Sequence, residues 1–599
     1  MTARRAAAAA FVALAAGWAY AAEPPPNKAL HALFDREFKV GLEEHPERAT
    51  FLGIPGYDDR LTDLSPEAVA RRRGHVKRMI AELKRFDPKA LSTQDRISRD
   101  VMLYSLELMQ EQNALYGDLP FTEEDDWLPV SSMNGPQNLF PYLARATSLK
   151  SGADFGNYVK RLAAIPRQLD QTIARMRVGL KSGWMPPRAA MTAVPAMFDV
   201  FAAEDLARSP LFVPFTQFPQ DMPAAERDRW AAEGKRALAD VRVGFARMQR
   251  FLADEYIPAG RTELGASTVP AGLAYYALQV REKTTTTLTP AEIHRIGLGE
   301  VARIRKSMDE VIASTDFKGS FADFLKFINT DPRFTFKTPE ARLAAYRDIA
   351  KRADAELPKL FAELPRLPYG IRAMEAFEGD NSDHYSPGAL DGSRAGFFEA
   401  NVNNLEKRPS HEMEATLIHE TVPGHHLQTS RAQELKDLPL FRRSAWYVAY
   451  GEGWALYAES LGYEMGFYKD PYMRFGALVS EALRACRLVV DTGLHTMGWT
   501  REQAIRYMVD NAGVNEAYAT AEIDRYIVWP AQALGYKVGE LKIKALRAKA
   551  KAALGDKFDI RRFHNALIDD GALPLTVLEA RIDEWIAREA AASRTTGKK

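Results

Sequence analysis

A chain of 599 residues is long enough to enclose several domain-sized cores. Its 46% hydrophobic and 27% charged residues are ordinary for a globular protein and exclude a disordered or collagen-like one. Eighty basic against 79 acidic residues leave no excess of the kind that broad nucleic-acid binding needs, and a single cysteine, Cys486, excludes an internal disulfide framework.

The first residues predict an export signal: Met1-Thr2-Ala3-Arg4-Arg5 is a basic start, Ala6 to Trp18 an apolar stretch, and Ala19-Tyr20-Ala21 a small-x-small cleavage site. A periplasmic or secreted mature protein is expected, cut near Ala21. No later segment offers about 18 uninterrupted apolar residues, so no membrane span is predicted. A lipid anchor would require a cysteine at the cleavage point, which Ala19-Tyr20-Ala21 does not provide.

After a proline-rich joint at Glu23-Pro24-Pro25-Pro26, helical periodicity dominates. Ser65-Pro66-Glu67 supplies an N-cap, a proline at the first helical position and an early acid for a run towards Phe86. Similar patterns span Thr93 to Leu115, Ala153 to Leu180, Ala224 to Tyr256, Thr289 to Ile312, Pro339 to Phe361, Arg474 to Met497 and Leu575 to Ala592. The exception is Ser393 to Asn404, short, aromatic and bounded by Gly and Asn, which reads as a strand or hairpin edge. Segments 118–138 and 379–392, rich in Pro, Gly and Asp, read as rims or lids over a cleft. A mainly α fold is expected, with residues 22–599 as one large helical domain. The alternative division is an N-terminal helical part, 27–285, and a catalytic half, 286–599.

The chemistry concentrates in Leu417-Ile418-His419-Glu420-Thr421-Val422-Pro423-Gly424-His425-His426. In an H-E-x-x-H helix the histidines are four apart and reach one zinc ion, while the Glu beside the first acts as general base. Here the next histidines are six and seven residues after His419: on a regular helix His425 would face the wrong side and His426 would lie about 10 Å further along the axis. Pro423 cannot donate its N–H and Gly424 tolerates unusual backbone angles, so a two-residue bulge is expected to bring His425 to the second-ligand position. His426 is the reserve. The nearby His411-Glu412 has no second histidine at a useful spacing.

A third ligand is expected downstream, because catalytic zinc commonly takes two His and one Glu from a following helix. In Tyr450-Gly451-Glu452-Gly453-Trp454-Ala455-Leu456-Tyr457-Ala458-Glu459, Glu452 fits that role. Glu459, about 10 Å further along the axis, suits a partner of a histidine or a surface charge.

Both segments resemble the bacterial family catalogued as domain of unknown function 885, with its H-E-x-x-P-G-H and E-G-W-A-x-Y-x-E elements. The resemblance extends to Thr289 to His294, Arg394 to Phe398, Asp491 to His495 and Arg525 to Tyr536. In that pattern the first of the paired histidines is the fixed one, which favours His425. Glu452 also resembles the metal ligand in the N-E-G-F-A element of aminopeptidase N-like enzymes. Similarity to gluzincin peptidases implies a multi-helix body with a small sheet edge beside the cleft and zinc-dependent amide hydrolysis. Such peptidases place an edge strand by the metal; a sheet that merely caps the helices is an equal reading of 393–404.

The resulting expectation is Zn2+ held by His419, His425 and Glu452, with Glu420 as general base. A further donor for the developing oxyanion is expected in the C-terminal segment, Tyr536 first and Tyr526 second, as related peptidases use a Tyr or His beyond the third ligand. His495, Arg394 and Tyr526 are candidate substrate contacts, and Arg525 or Arg487 could bind a substrate carboxylate. The substrate is expected to be a peptide or small amide, with no obligate protein partner. The rival readings are a non-peptidase amidase or esterase and a binding protein with a structural metal. A base poised beside the first histidine argues against the latter.

Overall fold

The computed structural model describes residues 23–122, 127–374, 379, 381–392 and 394–596. The export signal expected over 1–21 lies outside them. Among the described residues there are 22 α-helices and one three-stranded sheet, so the fold is mainly α with a small sheet. No described helix is long and apolar enough to cross a membrane.

Local chemistry sets the helix starts. Ser65 accepts a hydrogen bond from Ala68 N at the head of Pro66–Leu83. Reciprocal capping boxes, Ser151 with Asp154 and Thr289 with Glu292, open Gly152–Ser182 and Pro290–Ala313. The run beginning at Ala224 remains α-helical to Phe251 and then widens into a π-helical turn over Leu252–Tyr256.

The principal apolar core takes residues from both sides of position 285, Val101, Tyr276, Leu488 and Leu578 among them. A second core lies between Gly152–Ser182 and Ala224–Phe251, built on Phe155, Leu169, Phe245 and Met248. The packing step that matters most for the site is the crossing of Val448–Leu461 with Leu534–Leu554. A Cβ added at Gly453 would stand 2.4 Å from the Cα of Gly539, so only paired glycines permit these two backbones to approach so closely. That approach brings the face of the second helix bearing Tyr536 beside the helix bearing Glu452.

The sheet comprises β1 (Tyr369–Ala373), β2 (His384–Ser386) and β3 (Gly396–Ala400), in the order β1-β3-β2. β1 runs parallel to β3, with Tyr369 opposite Gly396; β2 runs antiparallel, with Tyr385 opposite Phe398. The segment read as an edge is therefore the central strand. Its Phe398 is fully buried against Tyr346, their rings 4.6 Å apart. The edges are β1 and β2, and β2 lies within the stretch 379–392 read as loop.

Candidate metal centre

Helix Met413–Glu420 carries His419 and Glu420 on its last turn, and helix His425–Glu434 begins with His425. The sequence suggested a bulge within one helix; the structure has a break between two. Thr421 leaves helical geometry at φ −115° and ψ −100°, the Val422–Pro423 peptide is cis, and Gly424 takes φ −74° and ψ −131°. Any side chain at 424 would place its Cβ 1.9 Å from the carbonyl oxygen of His419. The break is fixed from beneath, where the buried Trp454 donates from Nε1 to Pro423 O at 2.8 Å.

Restarting the helix turns the two imidazoles towards each other, with ring centroids 4.8 Å apart and planes at 85°. Between them stands Glu452, from Val448–Leu461: its Oε2 is 3.5 Å from His419 Nε2 and 3.3 Å from His425 Nε2. Those separations exceed the roughly 2.7–2.9 Å of a charge-assisted hydrogen bond. They match the edge of a tetrahedron with arms of about 2.0–2.1 Å, the Zn–N and Zn–O bond length, which is about 3.3–3.4 Å. Two imidazole nitrogens and a carboxylate oxygen are a donor set that zinc accepts, so the residues present fit the ion that the sequence implies.

Glu420 is the competing carboxylate, since one ligand atom each from His419, Glu420 and His425 lie within 4.8 Å of one another. Its geometry favours a different role. Oε1 is 3.9 Å from His419 Nε2, beyond the tetrahedral edge, while Oε2 accepts a hydrogen bond from the backbone N of Tyr385 at 2.9 Å. The edge strand β2 thus holds the Glu420 carboxylate beside the cluster.

Outer contacts orient the donors. His419 Nδ1 donates to Glu459 Oε1 at 2.7 Å, leaving Nε2 as the inward-facing nitrogen. Glu459 also accepts from Ser480 Oγ at 2.6 Å, and Arg484 Nη2 lies 3.5 Å away. His425 Nδ1 is buried with no hydrogen-bond partner among the described residues. Burial pushes the Glu452 carboxyl up, yet His425 and His419 together hold it well below the usual carboxylate range. Burial alone would depress His419, but the adjacent carboxylates of Glu452 and Glu459 raise it to about 9.

His426, the reserve ligand, points elsewhere. Its Nε2 donates to Leu367 O at 3.0 Å and its Nδ1 accepts from Tyr385 Oη at 3.0 Å. Burial brings its pKa down to about 4, as expected of a neutral ring with both nitrogens engaged.

Tyr536 is half-buried, with the Arg487 guanidinium 4.2 Å from its ring centroid. Burial first, and then the charge of Glu452, raise its hydroxyl pKa, so it stays protonated and able to donate. The remaining candidates are placed differently. Tyr526 is fully buried, its hydroxyl donating to Glu522 and accepting from Arg487 Nε at 2.8 Å, so it is a core residue and no substrate contact. His495 is also fully buried, Nδ1 accepting from Ala266 N at 2.9 Å and Nε2 donating to Tyr526 O at 3.0 Å; no ring nitrogen remains for a substrate. Arg525 spends Nε and Nη2 on Glu522 and Nη1 on Gln532, so an internal carboxylate occupies the fork offered to a substrate. Arg394 is exposed and donates to Pro387 O at 2.9 Å, bracing the exit of β2.

The sequence reading missed Tyr385, whose backbone N–H fixes Glu420. A three-residue strand is too short to show an alternating pattern, and nothing local marks its partner 35 residues away. It also missed Trp446, whose ring lies 5.7 Å from that of His425.

Two solved structures share this architecture. One, described as a "putative lipoprotein" from Colwellia psychrerythraea, superposes with a TM-score of 0.87 at 28% identity, covering 94% of this chain and 99% of its own. The other, described as a "putative lipoprotein of unknown function" from Shewanella oneidensis, gives a TM-score of 0.71 at 18% identity, covering 92% of this chain and 99% of its own, and so shares the fold. No curated protein matches the sequence. The sequence matches a bacterial family of unknown function, DUF885, over residues 46–582, a span that includes every donor of the cluster, and the chain belongs to that family.

Proposed function

We propose that this protein is an exported zinc-dependent hydrolase that cleaves amide bonds in peptides or peptide-like substrates. The observation that carries the reading is the convergence of His419 Nε2 and His425 Nε2 on Glu452 Oε2, with a separately held carboxylate, Glu420, alongside. His419, His425 and Glu452 would hold the ion, which when bound supplies Lewis acidity to a water molecule and a substrate carbonyl. The protein's own residues then divide the work. Glu420, anchored through Oε2 by Tyr385 N, accepts through Oε1 the proton that water loses on attacking the carbonyl carbon. It returns that proton to the leaving nitrogen as the C–N bond breaks, so amide and water become acid and amine. The protonated Tyr536 hydroxyl donates to the carbonyl oxygen as negative charge develops there. Glu459 keeps His419 in the tautomer and orientation that direct Nε2 inward.

Export is supported by the basic-then-apolar first residues and by the description of each structural relative as a "putative lipoprotein". The test is metal analysis of the purified protein followed by Glu420→Gln. Zinc retained with hydrolysis of a diverse peptide library lost supports the assignment. A zinc-loaded wild type that cleaves no peptide refutes peptidase action, and cleavage confined to small amides or esters redirects the reading to an amidase or esterase.

A further inference from the structure

Trp446 lies on the connection between helices Leu440–Arg443 and Val448–Leu461, and it is the one exposed tryptophan among the described residues, with 50% of its surface open. A singly exposed apolar side chain is ordinary at a protein surface, so what distinguishes Trp446 is where its indole is held, against the ring of His425. Two contacts fix its position. Its ring is 5.7 Å from the ring of His425, tilted by 54°. Its six-membered edge also occupies the space that a side chain at Gly451 would fill: a Cβ there would stand 2.2 Å from Cη2 and 2.6 Å from Cζ2 and Cζ3.

Glycine within a helix is unfavourable relative to alanine. Val448–Leu461 nevertheless carries two glycines, one on each side of Glu452. Gly453 admits the backbone at Gly539, which places Tyr536. Gly451 admits the indole, which lies over the helix one residue before Glu452 and reaches His425. One face of the indole is therefore seated on this helix while half of the side chain remains open to solvent, beside two of the three candidate ligands.

We propose that Trp446 forms the wall of a substrate subsite next to the metal centre, taking an aromatic or large aliphatic side chain from the residue that adjoins the scissile amide. The inference rests on the metal-centre reading above and adds a preference for the substrate. An apolar side chain laid on the open indole removes apolar surface of both partners from water, and an aromatic one adds ring–ring contact. A glycine or a charged side chain gains neither. Trp446 is thus a specificity-determining residue that touches substrate without taking part in proton transfer.

The test uses the zinc-loaded full chain and amino-acid hydroxamates, small chelating probes that bind a metal centre without being hydrolysed, with affinities measured by calorimetry. Phenylalanine hydroxamate should bind about tenfold more tightly than glycine hydroxamate, the ratio expected of one aromatic contact. Trp446→Ala should abolish that ratio while leaving zinc content and glycine hydroxamate affinity unchanged, and Trp446→Phe should restore part of it. Equal affinities in the wild type, or a preference that survives in Trp446→Ala, would overturn the subsite while leaving the metal centre intact. Failure of both hydroxamates to bind would overturn the metal-centre reading and the subsite with it.

Discussion

Glu459→Gln separates the orienting role of this carboxylate from a purely structural one. In the wild type its Oε1 accepts from His419 Nδ1 at 2.7 Å while it also accepts from Ser480 Oγ at 2.6 Å, and the residue is only 5% exposed. Glutamine keeps the volume and one acceptor oxygen but removes the charge that makes His419 a stronger donor to a metal. Loss of such an outer partner costs roughly 10- to 100-fold in metal affinity, or about 1.4–2.7 kcal/mol. A second effect runs the other way. His419 is raised to about 9 in the metal-free protein, partly by Glu459, so zinc must displace a proton at pH 7. Two units between pH 7 and about 9 amount to roughly a hundredfold penalty on apparent affinity. Wild-type affinity should therefore rise close to tenfold per pH unit above 7 and level off near 9.

In Glu459→Gln the His419 pKa falls, the proton competes less, and the rise should be shallower. The deficit of the variant should accordingly be largest near pH 9 and narrower at pH 7. Competition with a chromophoric chelator across that range measures both curves. Superimposed curves, or a constant offset at every pH, would refute the assignment of Glu459 as the partner that sets the basicity of His419. The sign for stability follows from the same shift. With a folded pKa above the ordinary 6.5, protonated His419 contributes stability that is complete below pH 6.5 and is lost as pH rises through about 9. Metal-free protein should thus lose thermal stability over that window, and zinc should restore it.

Three further outcomes are expected. His425→Ala should lose zinc, whereas His426→Ala should keep it and lower the unfolding free energy by about 1–3 kcal/mol, since Leu367 O and Tyr385 Oη lose their buried partner; chelator competition and thermal melts report the two effects. Tyr536→Phe should leave zinc content and KM unchanged and reduce kcat by about 10²- to 10³-fold, the cost of removing one oxyanion donor, as measured by steady-state kinetics on any substrate found. Gly453→Ala should destabilise the fold by about 1–3 kcal/mol and weaken zinc binding together, because the new Cβ would press on Gly539 and shift the helix bearing Glu452; a normal melting temperature would show that the crossing of the two helices yields easily.

What the sequence disclosed and what it hid divide along the range of the interactions. Caps such as Ser65 and Thr289 act on backbone groups three residues away, and the helices they open begin at the residue after the cap. The departure from a regular helix in H-E-x-x-P-G-H was also readable, because Pro423 and Gly424 forbid a regular turn whatever surrounds them. The shape of the departure was not. A bulge and a full break satisfy the same local constraints, and the choice is fixed by Trp454 Nε1 bonding to Pro423 O, 31 residues away.

The same limit explains the residues that were misplaced. Tyr526 and His495 have the right chemistry for a substrate contact, and only their partners, Glu522 and Arg487 for one and Ala266 for the other, turn them inward. Tyr385 is the converse case: an ordinary residue in a stretch that reads as loop becomes part of the site solely because β2 pairs with β3 and directs the Tyr385 N–H at Glu420. The candidate base, Glu420, is thus held by the sheet, while the candidate ligands come from helices. A change in β2 that left every histidine untouched should therefore disturb proton transfer before it disturbs metal binding, a separation that no motif on the helices bearing the candidate ligands could encode.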